Sequence, residues 1–192
     1  MARYKEYNRQ DVLENAVALF WQKGYKASSM ADIVQSTGLN TASMYKEFGN
    51  KDGLFEEALE FYRQNVLSPR VQILIENPNI TGIREFLESV VKGAAKKTYK
   101  GCLMMNHLAQ KHTISPKSFI IISDFFSYIE SLLVTAIRNA QANGKIPADK
   151  DPVVLASFVM CNVHGLVLYG RYPDSREVVL KLNEVIFNSL VV

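Results

Sequence analysis

Two cysteines in 192 residues, Cys102 and Cys161, are too few for a disulfide scaffold, and both are expected to be free thiols. No apolar stretch follows the charged start from Met1 to Glu6, so no signal peptide is visible. Uninterrupted apolar runs of membrane length are also lacking. The richest, Phe119 to Ile137, is broken by Asp124, Glu130 and several serines and makes a poor span. The default expectation is a cytoplasmic protein without a membrane partner. A glycine-rich phosphate loop and a hydrolase nucleophile elbow are missing, which removes two common enzyme signatures. Strong charge of either sign is absent: the net charge is +3, and residues 1–52 hold seven basic against six acidic side chains. Charge alone therefore does not announce a nucleic-acid binder, and any such argument must rest on position.

What is present is helical periodicity almost throughout. Val12, Leu13, Ala16, Val17 and Phe20 recur at three- and four-residue steps, predicting a helix from about Asn8 to Lys23 that Gly24 stops. Ser29 to Asp32 reads as a variant capping box opening a short helix with Ile33 and Val34, ended by Gly38. Asn40 is a good N-cap for a third helix, Thr41 to Phe48. Two short helices with a glycine in the turn outline a helix-turn-helix.

A fourth helix is expected from Lys51, with Leu54, Phe55, Ala58, Leu59 and Tyr62 inward and a kink or restart at Pro69. Ile80 and Thr81 suggest a staple and N-cap for a helix burying Ile83, Phe86, Leu87, Val90 and Val91. A short helix follows over Cys102 to Lys111. Ser115-Pro116 opens a long one that closes at Asn143-Gly144, with Phe125, Phe126, Ile129, Leu132, Leu133, Ala136 and Ile137 as its apolar face. Asp151-Pro152 begins another through about Tyr169, and Pro173-Asp174-Ser175 a last one burying Val178, Val179, Leu182, Val185 and Ile186. No segment sustains period-two alternation. The fold class expected is all-α.

The stretch from Gly24 to Leu54 resembles the DNA-binding domain of TetR-family repressors, on Gly24, Tyr25, Ser29, Ile33, Gly38, Ser43, Tyr45, Phe48, Lys51 and Leu54. At motif level the resemblance spans about residues 8–60; beyond that it is topological. It implies an N-terminal three-helix helix-turn-helix domain over residues 1–52. A C-terminal helical ligand-binding and dimerisation domain would occupy residues 53–192. It also implies a pseudo-palindromic double-stranded operator bound by a homodimer.

The residues agree with that implication. A recognition helix points its N-terminal residues at base edges in the major groove. Thr41 and Ser43 offer hydroxyls and Ala42 a methyl. Tyr45, Lys46 and Lys51 suit phosphates, and Ser29 suits another from the start of its helix. Ser29 and Asn40 serve equally well as plain caps, and Tyr45 as partly core. Phe48, Ile33 and Leu39 read as core. Glu47 stands where the family often carries His, and an acid there repels phosphate, so it is not counted as a contact.

Residues beyond about 60 would enclose an effector. The candidates are Phe61, Tyr62, Cys102, Met104, Met105, His107, Phe125, Phe126, Tyr128 and His164, soft apolar walls with a few polar groups. Core filling is the plainer reading of most of them. Helices near 152–169 and 175–190 would form the dimer contact, because Val159, Val163, Leu166 and Val167 leave an apolar face needing cover.

Cys102 follows Lys96, Lys97 and Lys100, and cations and a helix N-terminus both favour thiolate. Its Gly-Cys-Leu-x-x-Asn setting is similar to a TetR subgroup with electrophile- and oxidant-responsive members. The resemblance implies a small-molecule or electrophile effector, and no metal or cofactor is expected. Two other classes compete: a cysteine-dependent redox or electrophile-reactive enzyme, and an all-helical interaction module without DNA binding. Cys102 and His107 lie five residues apart, roughly 140° around a helix, so they do not share a face and the enzyme reading weakens.

Overall fold

The structure, a computed structural model, describes residues 7–191. Those residues form helices and turns and no strand, in the order α1 (Arg9–Lys23), α2 (Met30–Thr37), α3 (Thr41–Phe48), α4 (Lys51–Tyr62), α5 (Ser68–Glu76), α6 (Ile80–Ala94), α7 (Leu103–Leu108), α8 (Pro116–Ala142), α9 (Pro152–Tyr169) and α10 (Arg176–Asn188). Most boundaries follow the local signals. Asn8 caps α1 by accepting the Gln10 N–H, and the Ser29–Asp32 capping box closes in both directions. Asn40 caps α3 and Asp151 caps α9 just ahead of Pro152. Gly38 ends α2 in the left-handed region at φ +72°, where a side chain would be strained.

Pro69 gives a restart rather than a kink. A wide π-type turn, Arg63–Leu67, follows α4, and Pro69 falls in the first turn of α5, where its missing N–H is harmless. The cap of α6 corrects the expected one: Asn79, not Thr81, accepts the N–H groups of Thr81 and Gly82. The short helix after Gly101 is also briefer than expected, ending at Leu108 with a 3-10 turn over Lys111–Thr113.

The chain forms two compact units, one running through Asn65 and taking in Cys102–Ser123, the other comprising Val66–Gly101 and the chain from Asp124 onward. This division differs from the boundary expected at residue 52. Packing is the reason: Leu54, Phe55, Ala58 and Leu59 of α4 are buried with Val12, Ala16 and Phe20 of α1, and Phe20 meets Phe55 edge-on at 5.0 Å. In the second unit α6, α9 and α10 bury Ile83, Leu87, Val159, Val163, Val179 and Ile186. There the Arg84 guanidinium lies 3.7 Å from the centre of the Phe187 ring.

Two expectations about α9 and α10 are overturned. Val159, Val163, Leu166 and Val167 are buried within their own unit, whereas Val178 and Val185 face outward. Both α8 and α9 are also long and apolar enough, by length and composition, to cross a bilayer, although a poor span was expected over Phe119 to Ile137. Here α8 buries one face, with Ile122, Phe125, Ile129, Leu133 and Ile137, as a core helix does. Its Glu130 accepts a hydrogen bond from the Ser157 hydroxyl of α9.

Candidate nucleic-acid interface

The recognition helix α3 is held by the face it buries. Met44 and Phe48, one turn apart, are buried beside Ile33 and Leu39. That leaves Thr41, Ala42, Tyr45 and Lys46 exposed and Ser43 half-buried. Tyr45 is 49% exposed, so the core alternative for it falls away. The first turn keeps its free N–H groups oriented through Asn40, whose Oδ1 accepts from Ser43 N at 2.8 Å.

Ser29 is exposed but occupied. Its hydroxyl donates to Asp32 at 2.6 Å and accepts the Asp32 N–H at 3.2 Å, so its capping role is real and any phosphate would share it. Lys23 also pairs with Asp32 at 2.6 Å. The Lys23 and Ser29 contacts hold the Asp32 carboxyl well below the usual carboxylate range.

Lys51 begins α4 half-buried, its ammonium 4.3 Å from the centre of the Tyr25 ring. Burial lowers its pKa, with Asp52 and Asp32 opposing. The Tyr25 hydroxyl donates to Asp52, and desolvation together with that bond pushes the phenol well above its ordinary value. The α3–α4 junction needs a glycine that sequence reasoning missed. A Cβ on Gly53 would stand 2.1 Å from the Phe48 carbonyl oxygen, so the helices approach only because it is absent.

Glu47 proves to be paired. It accepts from the Tyr7 hydroxyl at 2.8 Å and from Arg9 Nε at 3.0 Å, and both bonds lower its pKa. Arg9 also reaches Glu57 of α4 and lies over the Phe48 ring at 5.6 Å. Tyr7 and Arg9 thus tie the start of α1 to the end of α3 and balance the acid. Neither carried a sequence signal, because the partners are 40 and 38 residues away.

The ten candidate effector residues divide between the units. In the first, Tyr62 packs edge-on against Trp21 at 5.1 Å and Met104 is fully buried, so both are core. Met105 is half-buried, and Phe61 borders a groove of about 350 Å3 with Arg9, Glu57 and Glu60, more polar than expected. Cys102 is 7% exposed and caps α7 without a side-chain bond to it. His107 is buried and bonded through both ring nitrogens. In the second unit Phe125 and Phe126 touch at 5.8 Å, and Phe126 meets His164 edge-on at 5.0 Å. His164 Nε2 is buried without a hydrogen-bond partner, and burial lowers its pKa against the opposing charge of Glu130. Tyr128 is 47% exposed.

A short helix held by its own buried face, with hydroxyls, a methyl and one lysine on its open side, fits a helix-turn-helix DNA-binding protein. Residues 12–58 match the family model for bacterial regulatory proteins of the tetR family. The chain is 31% identical over 186 residues to the HTH-type transcriptional repressor ComR of Escherichia coli K12, covering 94% of this chain and 87% of that protein. It is 22% identical to the HTH-type transcriptional repressor DhaR of Mycobacterium sp. GP1, over 95% and 92% of the two chains. Among solved structures it is similar to a cysteine mutant of the TetR-family transcriptional regulator CifR bound to 26-base-pair operator DNA. That match has a TM-score of 0.82 and 28% identity, over 97% and 99% of the chains. The chain belongs to the tetR family of bacterial regulatory proteins: it is a DNA-binding transcriptional regulator, not an enzyme.

Proposed function

We propose that this regulator is a cytoplasmic repressor that binds a two-fold-symmetric operator as a homodimer and is released by a small molecule or an electrophile. The observation that carries it is the exposed row Thr41, Ala42, Tyr45 and Lys46 on a helix anchored by Met44 and Phe48. In this reading Thr41, Ala42 and Ser43 meet base edges, while Ser29, Tyr45, Lys46 and Lys51 meet phosphates. The repressors ComR and DhaR support the sign of regulation, and the operator complex of CifR supports double-stranded DNA as the partner.

The homodimer reading rests on apolar side chains that the second unit leaves uncovered: Val153, Val154, Phe158 and Leu168 on α9, Val178 and Val185 on α10. So many on two helices exceed the scattered exposures of a monomer surface, and two helices from each subunit make a four-helix bundle. Selection from random-sequence duplexes tests both parts, since a dimer enriches an inverted repeat and a result without one refutes the reading.

Release by an electrophile is supported by the seat of Cys102 at the head of α7, within the unit that holds the DNA-binding helices. A buried thiol that gains bulk must displace the turn it caps. Operator release by a thiol-alkylating reagent is expected in the wild type and in Cys161→Ser, and lost in Cys102→Ser. Equal release in all three leaves the reversible small molecule as the effector.

A further inference from the structure

His107, on α7, is only 2% exposed. Its Nδ1 lies 2.8 Å from the Leu103 carbonyl oxygen, a contact only an N–H satisfies, so the proton resides on Nδ1. Nε2 is therefore an acceptor, and it takes the backbone N–H of Tyr25 at 3.1 Å across 82 residues of sequence. The imidazole also packs on Phe55 at 4.9 Å, and Phe55 on the Tyr25 ring at 4.8 Å. Tyr25 sits in the turn between α1 and α2, where no helical carbonyl is available to its N–H. Beyond that N–H, the same residue gives its hydroxyl to Asp52 and its ring face to the Lys51 ammonium.

We propose that His107 is a positioning residue for DNA binding, which fixes the Tyr25 ring and through it the place of the Lys51 ammonium. The inference rests on the reading of Lys51 as a phosphate contact. Lysine is a flexible point charge with several rotamers of similar energy, so an aromatic seat decides where its charge is delivered. The seat in turn is held at three points: the hydroxyl by Asp52, the ring by Phe20 and Phe55, and the main chain by His107. Removing the acceptor leaves the Tyr25 N–H to seek water, and the turn swings with it. A histidine that only filled space would do its work equally well as phenylalanine.

The test is the salt dependence of binding to a random-sequence DNA duplex, which registers phosphate contacts alone. Each phosphate contact contributes a slope of about 0.9 in log K against log salt. Lys51→Ala is expected to remove about one such contact. His107→Phe, which keeps the ring and loses the acceptor, is expected to remove most of the same increment. His107→Gln, whose side-chain carbonyl reaches the Nε2 position, is expected to restore it. The double variant Lys51→Ala with His107→Phe should match Lys51→Ala alone. Should His107→Phe fold poorly, His107→Asn removes the same acceptor while keeping a donor for the Leu103 carbonyl. A full wild-type slope in the acceptor-less variants, or losses that add to those of Lys51→Ala, overturns the proposal while leaving the phosphate contact standing. An unchanged slope in Lys51→Ala itself overturns both.

Discussion

Replacing Gly53 by alanine is a sharp probe of how the recognition helix is seated. The added Cβ would fall 2.1 Å from the Phe48 carbonyl oxygen and 3.2 Å from its carbon. A carbon–oxygen contact needs about 3.3 Å, so the end of α3 and the start of α4 must part by roughly 1 Å. Backbone on both sides leaves no flexible tip to yield. The same oxygen accepts the Asn50 N–H at 2.8 Å, so the displacement also disturbs the turn that delivers Lys51. Alanine regains about 1 kcal/mol of helix propensity, against about 1–3 kcal/mol for forcing atoms into a filled space. The net expectation is a loss of about 0–2 kcal/mol, a fall in Tm of a few degrees for a chain of this size. Operator affinity should drop further, by about tenfold or more, because a shift between α3 and Lys51 mismatches base and phosphate contacts.

Gly82→Ala makes a matched control. Its Cβ would lie 1.8 Å from the Asn77 carbonyl oxygen in the second unit, so a comparable stability loss should come without an intrinsic change at α3. Calorimetry and fluorescence anisotropy on the two variants decide the matter. A Gly53→Ala protein that melts at or above the wild-type temperature and binds operator normally would refute the close approach of α3 to α4.

Ser43→Ala should change base preference at one operator position by about 1–3 kcal/mol with the salt slope intact, in contrast to Lys51→Ala; equal, sequence-independent losses from both would mean the recognition helix is misassigned. Met44→Ala, which empties a fully buried position behind α3, should cost about 2–5 kcal/mol in denaturant unfolding. Burial lowers the His107 pKa from its ordinary 6.5, so the unfolded chain binds this proton more readily than the folded one. The stabilisation is complete above 6.5 and lost as pH falls from there through the folded value, and His107→Gln should flatten that part of the pH–stability curve, leaving the share due to His164. Val185→Asp, on the outward face of α10, should yield a monomer by light scattering and weaken operator binding; a dimer of undiminished affinity would move the subunit contact elsewhere.

Much of the helical layout is written locally, and the reasons are particular. The Ser29–Asp32 box, the Asn40 cap, the Asp151-Pro152 start and the stop at Gly38 each act within four residues, so chain-neighbour chemistry suffices to read them. Where two signals crowd together, local reading slipped by a residue or two, as when Asn79 rather than Thr81 capped α6. The outward faces of α9 and α10 were harder. Val163 and Val185 look alike in an apolar helix, and only the position of α6 beside them determines which is covered.

The sequence by itself determined the all-α class, the helix-turn-helix and the side chains its third helix presents. Those follow from a 3.6-residue period and from caps that span one turn. Only the tertiary structure decided what surrounds that motif. It paired Glu47 with Tyr7 and Arg9, seated Lys51 on Tyr25, made Gly53 necessary and drew α7 into the DNA-binding unit through His107. Apart from the five-residue reach from Phe48 to Gly53 across a turn, each joins residues far apart in the chain. Their energies depend on distances that no window along the chain contains.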